Sequence, residues 1–321
     1  MTLFGVELSR FRSRRAVVLI LLAGALLAVV VAGKTMWDTR PLTAADIATA
    51  QAQANIDAAN PTVKNELDQC VANPGDYLGP GGTEEQCRIA MQPNPQAYLS
   101  RQPLSLREVL DGNGMSIALL LVGLVVIAGS TYAGADWSTG SLTNQLLYEP
   151  RRRRVWTAKA LAVGLFSGLF TLVVLGGFWV ALYFTAVARE LPHGGAVRSD
   201  VTLAVLRVVA LAIGAGVGSY ALTMLFRSTV ATLALLFAYS IGGEVVVSLL
   251  PNHGVARWSV GNNVSGWVQN NFHYFDPTVR CRTGDCSQLR MLDHLDAGSF
   301  LLVLLVVAAV ISLVSFSRRD I

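Results

Sequence analysis

The chain has 321 residues, 53% of them hydrophobic and 14% charged, where an ordinary soluble domain carries about a quarter charged. That balance excludes a water-soluble globule and places the chain in a bilayer. Its formal net charge of +4 is small and its basic residues cluster beside apolar runs, which argues against nucleic acid as a partner and for anionic lipid headgroups.

Taken in order, residues 1–15 set Phe4, Leu8 and Phe11 on one face of a helix and Glu7, Arg10 and Arg14 on others, a pattern suited to lying in a membrane interface. Ala16–Gly33 is an apolar run of about 18 residues, long for a signal core and right for a first span. Lys34–Met115 is polar and too long for a plain connection. It shows helical stretches near Ala44–Ala59 and Pro61–Val71 and a break at Gly79–Gly82, and reads as a small folded outer module. Cys70 and Cys87 fall in this module, Cys281 and Cys286 in the last outer loop, and no cysteine falls in a span or a basic loop. That partition predicts two disulfides, Cys70–Cys87 and Cys281–Cys286, in an oxidising compartment. His193, His253, His273 and His294 are scattered without ligand spacing, so no metal site is expected.

Five more apolar runs follow: Ser116–Ala135, Lys159–Ala188, Val201–Phe226, Thr229–Leu250 and Ala297–Phe316. Arg227 and Ser228 make a tight turn between the fourth and fifth spans. Between the fifth and sixth, Pro251–Asp296 carries Trp258, Trp267, Phe272, Tyr274 and Phe275, aromatics of the kind that anchor at headgroup level. Small residues recur at a spacing of four, Gly164 with Gly168 and Gly214 with Gly218, which suits close packing of helix backbones. The expected fold is an all-α membrane protein of six transmembrane helices, one membrane domain over residues 1–321 with residues 34–115 inserted as the outer module.

The most informative stretch is Asp136–Lys159, a polar insert between two spans. Arg151–Arg154 form an uninterrupted basic run in a short loop, and such loops stay on the cytoplasmic side; with an even number of spans both termini are then cytoplasmic. Ser138 or Thr139 can cap a short helix in which Leu142, Leu146 and Leu147 share one face, and Pro150 stops it.

The ordered string Asp136, Gly140, Ser141, Leu142, Leu146, Leu147, Pro150, Arg151 and Lys159 resembles the membrane subunits of type-2 ATP-binding-cassette (ABC) exporters. That family more often has Glu where Asp136 stands and Thr where Ser141 stands. The resemblance extends to the six-span layout and the Phe-x-Arg-Arg-Asp near the C-terminus. It implies that residues 1–15 are an interfacial elbow helix, that the loop helix is a cytoplasmic coupling helix touching an ATPase subunit, and that the last outer segment folds back as short re-entrant helices. It also implies two copies of a separate ATP-binding subunit and a second permease chain; richness in Ala, Val, Gly and Arg points to a bacterial cell, whose plasma membrane is the expected location. No Gly-x-x-x-x-Gly-Lys-Ser/Thr occurs in the chain, so ATP and Mg²⁺ belong on the partner, and neither a nucleophile elbow nor a His-Glu-x-x-His helix is present. The chain is therefore expected to be no enzyme itself and to bind no cofactor. The implied function is outward movement of a hydrophobic or amphipathic cargo by alternating access. The alternative is a non-transporting scaffold or sensor that binds a ligand through the outer module.

Arg207 and Glu244 are the two formal charges set well inside the runs. They sit at similar distances from the Arg227–Ser228 turn, close enough for a long Arg side chain to bridge. Two arrangements satisfy this: an intramembrane pair, or Arg207 reaching the outer headgroups while Glu244 lines a wet vestibule.

Overall fold

The structure, a computed structural model, describes residues 3–79, 81–243, 245–246, 254–269, 272–276 and 287–318. The chain is an all-helical, multi-pass membrane protein relieved by one short hairpin. A helix α1, Leu3–Ser13, precedes α2, Arg15–Asp38. Short helices follow: α3 Ala44–Ala59, α4 Pro61–Ala72, α5 Pro74–Leu78 and α6 Glu84–Met91. Next come α7, Leu106–Val109, a π-turn at Leu110–Gly114, and α8, Met115–Ser138, which together form a single helical rod. Then α9, Ser141–Tyr148, α10, Arg152–Ala188, and α11, Gly195–Phe226, lead to α12, Thr229–Ala238. The chain closes with α13, Val260–Val268, strands β1 Phe272–Phe275 and β2 Leu289–Leu292, and α14, His294–Arg318.

Among the described residues, 5 helices are long and apolar enough to cross a membrane: α2, the α7–α8 rod, α10, α11 and α14. The expected fifth span is only partly described. It is helical over Thr229–Ala238, passes into a π-turn at Tyr239–Gly243, and residues 244 and 247–253 lie outside the described set. Several helices also begin earlier than hydropathy suggests. The second span starts at Leu106 rather than Ser116, the third at Arg152 rather than Lys159, and the fourth at Gly195 rather than Val201. In each case polar residues form the first turns, where spanning helices outrun the hydrocarbon and hydropathy has no signal. The all-α expectation holds but for one short hairpin, in which β1 and β2 pair antiparallel from Phe272↔Leu292 to Phe275↔Leu289.

The chain divides into two compact units, residues 1–32, 106–184 and 192–321, and residues 33–105 with 185–191. The second unit ends at residue 105, and Leu106, Val109 and Met115, which the sequence reading included in the module over 34–115, are buried in the first unit. In that unit α11 packs on α8 and α14 through small residues. A Cβ placed on Gly129 would lie 2.8 Å from the Gly216 carbonyl oxygen, and one on Gly216 would lie 3.0 Å from Val125. Only glycine permits that approach, and membrane helices associate by such close packing. Gly164 and Gly168 face Val217 and Ile213 of α11, while Gly214 and Gly218 face Leu305 of α14. The aromatics of the last segment divide. Tyr274 is buried with Leu292 and Ala297, and Trp267 lies against Gly298, whereas Trp258 and Phe275 are exposed.

The second unit is held together differently. Thr43 and Thr83 open α3 and α6 with reciprocal capping boxes to Asp46 and Gln86, each satisfying orphan amides of the first turn. Among its described residues the buried apolar side chains are small, Ala50, Ala54 and Ala186, with Leu104 the largest. So little apolar burial leaves a unit of this size marginal on its own. The Cys70–Cys87 disulfide, both sulfurs fully buried, joins α4 to α6. Polar ties add to it: the Tyr98 hydroxyl donates to Asp57 at 2.6 Å, the Arg101 guanidinium binds Asp46, and Arg189 donates to the Thr39 carbonyl at 2.7 Å and the Met36 carbonyl at 2.9 Å. Cys281 and Cys286 lie outside the described residues.

Two predictions follow from this unit. Closing a loop of sequence separation 17 contributes about 3 kcal/mol on the chain-entropy estimate, so the Cys70→Ser/Cys87→Ser variant should lower the unit's calorimetric transition by several degrees and leave the transition of the helical unit in place. An unmoved first transition would contradict the small-core account. The second concerns pH. The Thr43 amide and hydroxyl, followed by Arg101 and Arg40, hold the Asp46 carboxyl below its ordinary 3.8. Its contribution is therefore present above pH 3.8 and lost as pH falls through the lowered folded value. The Asp57 bond raises the Tyr98 phenol above its ordinary 10.0, so that contribution is present below pH 10.0 and lost on further alkalinisation. Hydrogen exchange of α3 across pH should show both limbs, and Asp46→Asn should abolish the acid limb alone.

Candidate functional site

At one end of the first unit, four ionised side chains meet around Lys159. This lysine and Glu7 are fully buried, Asp136 is 1% exposed, and Arg14 is partly exposed. The Lys159 ammonium donates to Glu7 Oε2 and Asp136 Oδ2, each at 2.7 Å. Arg14 donates to Asp136 Oδ1, which also accepts from the Ser141 hydroxyl at 2.8 Å. Gln145 donates to Glu7 Oε1 and the Tyr132 hydroxyl to Glu7 Oε2. All four carboxylate oxygens are thus satisfied; Lys159 and Arg14 offset the two anions, and the half-exposed Arg10 adds a third cation 3.8 Å from Glu7 Oε1. A buried charge taken from water costs several kcal/mol unless it is paired and hydrogen-bonded in this way.

The elements that deliver these groups are set by local sequence. In α1, Glu7 and Phe11 lie one helical turn apart and are both buried. The sequence reading set Phe4, Leu8 and Phe11 on one face and Glu7 on another; in the structure Glu7 and Phe11 are the buried residues of this helix, and Phe4 and Leu8 are half-buried. The Phe11 ring stacks 4.9 Å from Tyr132 and 4.8 Å from Phe166, which seats α1 against α8 and α10. In α8, Tyr132 and Asp136 are again one turn apart. The helix ends at Gly140, which adopts φ +68 with nothing near its Cβ position, so glycine is needed there for its conformation rather than for space. Ser138 and Thr139, expected to cap the next helix, instead belong to the end of α8, where both hydroxyls donate to the Ala135 carbonyl. Gly140 precedes α9, and Ser141 turns its hydroxyl to Asp136.

The expectation that Leu142, Leu146 and Leu147 share a face is likewise corrected. Leu142 is 1% exposed and Leu146 packs against the same aromatic core, while Leu147 is 78% and Tyr148 92% exposed. Residues four apart stack on a helix and residues five apart do not. Pro150 and Arg151 lie beyond α9, exposed, and α10 begins at Arg152. Lys159 is therefore two turns inside α10 rather than at its opening, and it points into the core. It and Asp136 are buried charges that the sequence reading counted as interfacial. Beneath this network a core of Val17, Leu21, Trp156, Val163, Tyr220, Met224 and Phe316 closes the bundle, with the Trp156 indole donating to Ser312 at 3.2 Å and the Tyr220 hydroxyl to the Trp156 carbonyl at 3.1 Å.

The structure thus joins Asp136, Gly140, Ser141, Leu142, Leu146 and Lys159 into one assembly, leaves Leu147, Pro150 and Arg151 at the surface, and adds Glu7, Arg14, Tyr132 and Gln145. Arg207 lies elsewhere, on α11, and its expected partner Glu244 lies outside the described residues. Among the described residues no group of His, Cys, Asp or Glu side chains could hold a metal ion. Compared with family models, with curated proteins and with solved structures, the chain matches none. What the assembly provides is a rigid mount: α9 is tied through Ser141 and Gln145 to carboxylates that also hold α1, α8 and α10.

Removing one member of this network should be far worse than removing a balanced pair. Lys159→Met leaves two buried carboxylates short of a cation and should destabilise the unit by about 3–5 kcal/mol. Adding Glu7→Gln restores charge balance with Arg14 and Asp136, so the double variant should recover roughly 1–3 kcal/mol of that loss. Thermal unfolding of the detergent-purified chain measures both; strictly additive effects would show that the groups do not act together.

Proposed function

We propose that the chain is the membrane-spanning permease subunit of an ATP-driven exporter of the type-2 ABC class. On this reading α9 is the cytoplasmic coupling helix, α1 the interfacial elbow helix, and residues 229–250 a sixth span. The disulfide-bonded unit is an extracytoplasmic module, and both termini lie in the cytoplasm of a bacterial cell whose plasma membrane holds the protein. Two copies of a separate ATP-binding subunit carry ATP and Mg²⁺, and a second permease chain completes the pathway for a hydrophobic or amphipathic cargo moved outward by alternating access.

The observation that carries this proposal is the outer face of α9. Leu147 and Tyr148 stand 78% and 92% exposed on a helix whose opposite face is fastened by hydrogen bonds and core packing to the network that joins α1, α8 and α10. Apolar side chains presented on a rigid helix are what a groove in a partner recognises. A pull on such a helix moves α1, α8 and α10 together, because the carboxylates that hold it belong to α1 and α8 and both bind the Lys159 ammonium of α10. The start of α10 supports the same orientation. Its first turn carries Arg152, Arg153 and Arg154 and no acidic residue, and cations at a helix N-terminus oppose the macrodipole. They weaken the helix they begin, which is consistent with retention on the cytoplasmic side.

The test separates the two faces of α9. Purified from its native membrane, the protein should bring with it a subunit bearing a phosphate-binding Gly-x-x-x-x-Gly-Lys-Ser/Thr loop. Leu147→Asp with Tyr148→Ala should reduce its retention at least about 100-fold, consistent with loss of a buried apolar anchor pair, while leaving the permease's thermal transition unchanged. Leu142→Asp should instead unfold the permease. Retention of the ATPase by the Leu147/Tyr148 variant, or the absence of any such subunit, would overturn the proposal.

A further inference from the structure

The network around Lys159 and the π-turn at Leu110–Gly114 lie at opposite ends of one rod. Asp111 and Asp136 are about 25 residues apart, roughly 37 Å at about 1.5 Å per residue, against a hydrocarbon thickness of about 30 Å. At the far end a cleft of about 140 Å³ opens between α7–α8, α10, α11 and α13. Its floor is apolar, formed by Met115, Leu175, Trp179 and Val208. A Cβ on Gly114 would lie 2.6 Å from the Trp179 ring, so the indole rests directly against the rod where its helical winding changes. Departures of this kind concentrate at functional sites.

The rim is polar and charge-balanced. Arg107 and Asp200 pair at 3.6 Å. Asp111 and Arg207 also line the cleft, and neither has an ion-pair partner among the described residues. Arg207 is held in place from behind, since the Trp267 indole donates to its carbonyl at 2.8 Å. Two guanidiniums and two carboxylates sum to zero, so an anionic ligand would leave Asp111 facing a like charge and a cationic ligand would do the same to Arg207. A headgroup bearing both signs leaves neither uncompensated. The volume is below the roughly 300–1,000 Å³ of pockets that enclose a drug-sized ligand, which suits a headgroup whose chains remain in the bilayer. A guanidinium lining a cleft with an apolar floor has strong reason to find an anion, and phosphate is the anion its planar fork fits best.

We infer that this cleft binds the headgroup of a zwitterionic phospholipid, with the phosphate on Arg207 and a primary ammonium on Asp111. The inference does not depend on the transport reading and would stand for any multi-pass role of the chain.

The experiment is native mass spectrometry of the intact protein released from nanodiscs containing equal amounts of phosphatidylethanolamine, phosphatidylcholine and phosphatidylglycerol. The wild type should retain phosphatidylethanolamine about tenfold or more over phosphatidylglycerol, the size expected of one charge-assisted hydrogen bond. Phosphatidylcholine, whose ammonium has no N–H to donate, should rank between them. Arg207→Gln should lower phosphatidylethanolamine retention about tenfold. Asp111→Asn, on the exposed rim where folding is not at stake, makes the rim net positive and should shift the preference toward phosphatidylglycerol. Equal retention of the three lipids by the wild type, or an unchanged preference in Asp111→Asn, would overturn the inference. Free phosphoethanolamine, added as a competitor, should displace the bound lipid only weakly; displacement at matching concentration would assign the site to a soluble ligand and overturn the lipid assignment.

Discussion

Everything at one end of this protein depends on a single ammonium group held between two carboxylates in a dry interior. Lys159 is the only buried group among the described residues that touches both Glu7 and Asp136. Its position forces α1, α8 and α10 to converge, because desolvated ions are tolerated only in contact with one another. The aromatic packing of Phe11, Tyr132 and Phe166 around them then excludes water, which strengthens each ionic contact. Charge pairing and hydrophobic packing here require each other. Without the aromatic shell the ions would be hydrated and weak, and without the ions the polar chains would not be inside.

Much of the architecture was legible in the sequence. Helix α3 begins and ends where Thr43 and Asn60–Pro61 mark its limits, the Arg227–Ser228 turn falls where it was read, and Cys70 pairs with Cys87. Those signals are local: a cap, a proline, a partition of thiols. The α7–α8 rod, α10 and α11 start earlier than the apolar runs because hydropathy measures lipid contact, whereas the helices continue through polar turns beyond it.

The site was legible only in its contiguous part. The string from Asp136 to Lys159 marks the loop, but Glu7 and Arg14 lie more than a hundred residues away, and nothing local distinguishes a carboxylate that will be buried from one facing headgroups. A weak signal existed in α1, where Glu7 sits one turn before Phe11 on what becomes the buried stripe. The misreading of Leu147 had a simpler cause. Leu142, Leu146 and Leu147 look like one apolar set in sequence, but a helix places the last of them about 140° from the first at about 3.6 residues per turn.

The order in which the members of the network are synthesised has a consequence for biogenesis. Glu7 and Arg14 emerge first, Tyr132 and Asp136 more than a hundred residues later, and Lys159 only with the third spanning helix. Until that helix is inserted, the two carboxylates lack the buried ammonium that joins them and have only the partly exposed Arg10 and Arg14 beside them, so the end of the bundle cannot dry. The nascent chain therefore remains hydrated at this point until α10 arrives. Closure then becomes a checkpoint that a truncated chain fails, leaving a charged, wet defect of the kind membrane quality control can read.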